Sequence, residues 1–123
     1  MGMDPLSQQH CEPCRGNLPP ATADEIAAFL EQLHDWEIVE VDGIGRLTRR
    51  FAFRNFVTAL EFSNRVGELA EAEGHHPALL TEWGGVTVQW WTHRIGGLHR
   101  NDFIMAAKTD ALQVTAADPA GQG

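Results

Sequence analysis

The stretch Trp36-Glu37-Ile38-Val39-Glu40-Val41-Asp42-Gly43-Ile44-Gly45-Arg46-Leu47-Thr48-Arg49-Arg50-Phe51-Ala52-Phe53 decides the fold. Two β-rich runs flank Asp42-Gly43, a two-residue turn whose positive φ angles match the twist of antiparallel strands, so the reading predicts a hairpin over 36–41 and 44–53. In the second run Leu47, Phe51 and Phe53 share one face and Arg46, Thr48 and Arg50 the other. One face is expected to be buried and the other wet, with Arg49 breaking the alternation.

Upstream of the hairpin, Thr22-Ala23-Asp24-Glu25 is a capping box, and Ile26, Phe29, Leu30 and Leu33 recur at helical spacing. Downstream, Asn55 is a suitable N-cap for a long helix with Phe56, Ala59, Leu60, Ser63, Val66 and Ala70 on one side, and Gly74 closes it. A second pair of strands is expected over 79–83 and 86–93 around a Gly84-Gly85 turn. In the longer of these, Val86, Val88, Trp90 and Thr92 point one way and Thr87, Gln89, Trp91 and His93 the other. Gly96-Gly97 break the strand, and a last helix begins near 99–101 with Phe103, Ile104, Ala106, Ala107 and Ala111. Helix, two strands, helix, two strands, helix (αββαββα) gives an α+β domain, a four-stranded antiparallel sheet with helices packed on one face. Residues 1–20, interrupted by Pro5, Pro13, Gly16, Pro19 and Pro20, read as a flexible arm that adds little core. The domain is then 21–114, and 115–123 a disordered tail.

The chain has 123 residues, 13.6 kDa and 43% hydrophobic content, enough for one unaided core and too little for two. Nine basic against seventeen acidic residues leave a formal charge of −8, which argues against direct nucleic-acid binding. No apolar run approaches the roughly 20 residues needed to span a bilayer, and the first residues lack a signal-peptide layout, so a cytoplasmic, membrane-free protein is expected. Cys11 and Cys14 form a C-x-x-C beside His10. That is too few ligands for a closed zinc site, and no strand precedes it as in a thioredoxin-like motif, so two reduced thiols on the arm are expected.

Chemistry concentrates in Glu71-Ala72-Glu73-Gly74-His75-His76-Pro77, with Trp83, Thr92-His93 and Asp102. Gly74 and Pro77 constrain the direction in which the paired histidines leave the helix. Glu71, one turn before His75, is placed to accept a hydrogen bond from its ring. Asp102 suits the first turn of the last helix, where unpaired N–H groups stabilise a carboxylate, and it would steer His93 if the Gly96-Gly97 loop brings the two together. Trp83, Trp90 and Trp91 read as core or subunit-contact residues. A zinc site on His75, His76 and His93 is disfavoured because adjacent histidines rarely converge on one ion.

At these residues the chain resembles the pterin-4a-carbinolamine dehydratases, whose pattern of an acidic residue, three positions, His-His-Pro, an aromatic, a Thr-His and an Asp is met by Glu71, His75-His76-Pro77, Trp83, Thr92-His93 and Asp102. The likeness covers roughly residues 22–112, and the Cys11/Cys14 arm also resembles bacterial members. It implies dehydration of a 4a-hydroxytetrahydropterin to the quinonoid dihydropterin, recycling the cofactor of aromatic amino-acid hydroxylases such as phenylalanine hydroxylase. It implies His75 and His93 as the general acid/base pair, His76 as a substrate-orienting catalytic partner, and Glu71 and Asp102 in support. Substrate contacts would come from His75, His76, Pro77, Thr92, His93, Arg94 and Ile95, with no metal or organic cofactor and with a homodimer or homotetramer as the assembly. Imidazoles suit the chemistry, because a pKa near about 6.5 keeps acid and base forms populated at working pH. Related folds also act as dimerisation or assembly cofactors, so a binding role is the alternative.

Overall fold

Asp42 and Gly43 both take positive φ, 54° and 78°, and so supply the turn twist that an antiparallel pair requires. They join β1 (Glu37–Val41) to β2 (Ile44–Ala52), with Val41 opposite Ile44 and Glu37 opposite Thr48. The computed structural model describes residues 5–11 and 19–115. A second hairpin, β3 (Ala78–Glu82) and β4 (Gly85–Trp90), pairs antiparallel through β4 with β2, giving the sheet order β1-β2-β4-β3. Three helices, α1 (Ala23–Leu30), α2 (Phe56–Glu73) and α3 (Arg100–Thr115), pack on one face of it. The expected α+β architecture and element order are both observed.

The register puts Leu47 and Phe51 of β2 beside Trp90 and Val86 of β4, and all four side chains are buried under the helices. Phe62 of α2 lies 4.8 Å from Phe51 and 5.1 Å from Phe53, while Phe29 of α1 meets Phe103 of α3 at 5.0 Å. Each large apolar side chain buried in this way stabilises the fold by about 1.5–3 kcal/mol. Arg49 sits on this same face, and its alternation is not broken but accommodated. Its guanidinium donates to Asp110 at 2.7 Å and to Gln113 at 3.2 Å, and it lies 4.2 Å over the Phe51 ring. A charge at the core margin is tolerated when it is paired and hydrogen-bonded in this manner.

Several local expectations shift. The second turn is Trp83-Gly84, with Gly84 at φ 85°, and Gly85 is already the first residue of β4. A side chain at Gly85 would overlap the Arg50 guanidinium, which crosses that position. β4 ends at Trp90, and His93–Ile95 form a 3₁₀ turn instead of continuing the strand. On α2 the buried stripe is Ala59, Phe62, Ser63, Val66 and Ala70, whereas Phe56 and Leu60 face outward.

The arm also departs from the reading. Leu6, in a short 3₁₀ turn packed on α3, is fully buried in the core, so residues 5–11 add core that the Pro and Gly content had concealed. The turn is tied down by Leu6 N–H donating to Gln32 Oε1 (3.2 Å) and by Lys108 Nζ donating to the Ser7 carbonyl (3.0 Å). Farther along, Glu73 accepts the Cys11 N–H at 3.0 Å and contacts the His10 ring at 3.1 Å. The expectations for Cys14 and for 116–123 lie outside the described residues, and α3 extends through Thr115.

Burial pushes the Glu73 carboxyl up, but the Cys11 N–H, the His10 ring and the Lys108 ammonium outweigh it and hold the group below its ordinary 4.5. A carboxyl whose folded pKa is depressed lends stability above its unfolded value and loses it as pH falls. We predict that the stability gap between the parent and Glu73→Gln, read by urea denaturation, is widest near neutral pH and closes as pH drops through 4.5 and below. Asp110, pushed up mainly by burial, titrates with the opposite sign but is common to both proteins and cancels in the difference. A gap that does not change with pH would mean that Glu73 holds the arm without its charge.

Candidate active site

Gly74 ends α2 in the left-handed conformation, φ 67° and ψ 29°, and both its N–H and that of His75 point back to the Ala70 carbonyl. This cap turns the chain so that His75 enters the protein, 5% exposed, while His76 stays outside. Pro77 then leads into β3. The His75 ring stacks on Trp90 of β4, nearly parallel with centroids 5.9 Å apart.

Its electrostatic partner comes from α3. Asp102 is completely buried, and its two oxygens take three hydrogen bonds: Oδ1 from His75 Nε2 at 2.6 Å, and Oδ2 from the Thr92 hydroxyl at 2.8 Å and the His99 N–H at 2.9 Å. The His99 ring in turn accepts the Asn101 N–H at 3.0 Å, so His99 and Asp102 cap α3 reciprocally. With Asp102 as the carboxylate, His75 carries its proton on Nε2. His75 lines the cleft, and its Nδ1 has no hydrogen-bond partner among the described residues, which leaves that nitrogen as an acceptor.

His93 reaches the same cleft by another route. Thr92 and Gly97 exchange backbone hydrogen bonds of 2.8 and 3.4 Å, pinching residues 93–96 into a 3₁₀ turn closed by Gly96 at φ 62°. The exposed His93 ring packs at 4.4 Å on Trp91, which lies under the Arg46 guanidinium at 3.9 Å. Each of two consecutive tryptophans therefore backs one histidine. Arg46 donates to Gln89 Oε1 at 3.0 Å, while its Nε is buried without a partner among the described residues.

Gly74, His75, His76, Thr92, His93 and Arg94 line a cleft of about 190 Å³. That is below the roughly 300–1,000 Å³ of drug-sized pockets and leaves room for a small ring system. A larger depression of about 730 Å³ on α2, between Glu61, Glu68 and Leu112, holds no histidine and carries none of this chemistry.

The residues read from sequence are thus brought together, but with different pairings. Glu71 bonds His76, at 2.6 Å and in solvent, not His75, because the left-handed cap rotates His75 off the Glu71 face. Asp102 bonds His75 and not His93. Thr92 spends its hydroxyl on Asp102, and neither Pro77 nor Ile95 lines the cleft. His99 and Arg46 were missed. The i, i+3 spacing of His99 and Asp102 was a legible capping signal, whereas Arg46 becomes visible only once strand register sets it beside Trp91.

The chain is similar in sequence and fold to proteins of one family. The family described as Pterin 4 alpha carbinolamine dehydratase matches residues 19–112. A protein of Syntrophotalea carbinolica is 66% identical over 110 residues, covering 89% of this chain and 98% of that protein; one of Chlorobaculum tepidum is 56% identical over 110 residues, covering 89% and 99%. Both are named "Putative pterin-4-alpha-carbinolamine dehydratase". Among solved structures, a transcriptional coactivator/pterin dehydratase from Brucella melitensis superposes with a TM-score of 0.69 at 32% identity, covering 80% of this chain and all of that one. A pterin dehydratase-like RuBisCO assembly factor of the alpha-carboxysome, at 24% identity and TM-score 0.53 over 64% of this chain and 89% of its own, shares the fold. With the family match spanning most of the chain, His75, His76, Thr92 and His93 lining one cleft and Asp102 bonded to His75 behind it, this protein belongs to the pterin-4a-carbinolamine dehydratase family.

Proposed function

We propose that the chain is a hydro-lyase that converts a 4a-hydroxytetrahydropterin to the quinonoid dihydropterin and water. The observation that carries this reading is the convergence of His75, His76 and His93 on one small cleft, with His75 held by a buried carboxylate. His75, its Nε2 proton engaged by Asp102, offers Nδ1 as the base for the N5 proton of the substrate. His93, at the solvent-exposed rim, donates a proton to the 4a oxygen. The C4a–O bond breaks as the N5 electron pair forms the C4a=N5 bond, water leaves, and the proton balance is restored through solvent. His76, tied to Glu71, orients the bicycle, with Arg94 beside it. Thr92, Pro77 and Ile95 shape the site through backbone and packing. In the cytoplasm such an enzyme would return the cofactor of an aromatic amino-acid hydroxylase such as phenylalanine hydroxylase to its reducible form.

Positioned acid and base groups supply about 10²–10⁴ in rate. The doubly substituted His75→Ala, His93→Ala protein is expected to lose at least about 100-fold in carbinolamine dehydration, followed by stopped-flow absorbance, while its far-UV circular dichroism stays that of the parent. A double variant as fast as the parent would remove the mechanism.

A homodimer or homotetramer belongs to the same proposal. What supports it is the exposure of Phe56, Val57 and Leu60 on one turn of α2, of Leu80 on the edge strand β3, and of Trp83 in the turn that follows it. Sedimentation equilibrium at micromolar concentration should give a mass of two or four chains; a single-chain mass would contradict it.

A further inference from the structure

His10 and Cys11 have no part in the scheme above, yet they touch both elements that build it. Cys11 N–H donates to Glu73 Oε1 at 3.0 Å, and Glu73 is two residues before His75. The Cys11 thiol faces the Asn101 carbonyl at 3.9 Å, and Asn101 immediately precedes Asp102. The same short segment therefore touches the Glu73 side chain, two residues before His75, and the backbone carbonyl one residue before Asp102, the two members of a 2.6 Å pair. It is anchored at its other end by fully buried Leu6 and by the Lys108 bond to Ser7, so its position is set by the core and not by the cleft.

Glu73 itself calls for a reason. It lies in the last turn of α2, where a carboxylate opposes the helix macrodipole and no basic residue offsets it. Its side chain is only 13% exposed. Such a group is retained at low cost only if it is engaged, and both of its oxygens face the arm, one on the Cys11 N–H and one on the His10 ring.

We infer that Glu73 is a positioning residue and that, with the His10-Cys11 segment, it forms a clasp that holds the end of α2 against the start of α3 and so sets the His75–Asp102 distance. The inference rests on the proposed dehydration for its kinetic readout but not for its structural one. Loosening the clasp lets the His75 ring leave Asp102, which frees its tautomer and misplaces Nδ1 relative to the substrate. The effect falls on the chemical step, because Glu73 does not line the cleft.

The test compares the full chain with Glu73→Ala, which removes both acceptors, and Glu73→Gln, which keeps an oxygen for the Cys11 N–H. Glu73→Ala is expected to lower kcat about tenfold with KM within about twofold, less than the ~100-fold that a full ångström of misplacement can cost, and Glu73→Gln should recover most of the loss. In ring-nitrogen NMR of the unliganded proteins, at a temperature well below their unfolding midpoints, His75 should be a single Nε2–H tautomer in the parent and a mixture in Glu73→Ala. A variant with a lowered midpoint but the parent's kcat and His75 spectrum would overturn the clasp and leave a purely structural contact. If the parent itself fails to dehydrate the carbinolamine, the functional reading falls, and the His75 spectrum alone decides: unchanged in Glu73→Ala, it overturns the clasp; shifted to a mixture, it supports it.

Discussion

The buried Asp102 carboxylate organises this protein. It accepts from the end of α2 through His75, from the segment after β4 through the Thr92 hydroxyl, and from the start of its own helix through the His99 N–H. A wholly buried charge is costly unless its lone pairs are filled, and here the groups that fill them come from three separate segments. Satisfying Asp102 therefore requires the sheet, α2 and α3 to be assembled in one arrangement. That arrangement also orients His75 towards the cleft.

The sheet contributes through alternation. Consecutive residues of an extended backbone face opposite ways, so Trp90, the last residue of β4, packs under the helices and stacks on His75, while Trp91, just past the strand, is covered by Arg46 and supports His93. A shift of register by one residue would exchange the two tryptophans and dismantle both supports. The tight Asp42-Gly43 turn and the Trp83-Gly84 turn, each with glycine at positive φ, pin the register of the two hairpins that meet at β2 and β4.

Most of the fold was legible from local signals. The Thr22/Glu25 capping box, the Asn55 cap and the Gly74 terminus are all present as read, since each depends on residues within one turn of the chain. The errors arose where contacts are distant in sequence. Leu6 looked like part of a loose arm because nothing nearby reveals that α3 has room for it. Glu71 and Asp102 were both recognised, but their partners depended on how the left-handed cap at Gly74 rotates His75 relative to His76, a three-dimensional fact that spacing alone leaves open. Arg49 looked like an interruption because its partners, Asp110 and Gln113, lie some sixty residues away on α3.

Under the proposed dehydration, the three histidines face one bicyclic substrate and Asp102 presents His75 to it. A crystal structure of the chain with a dihydropterin bound tests this most directly. The bicycle is expected in the cleft between His75 and His93, with His75 Nδ1 within hydrogen-bonding distance of N5 and Nε2 still on Asp102. A pterin seated elsewhere, or bound with both imidazoles turned away from it, would rule out histidine acid–base catalysis at this cleft.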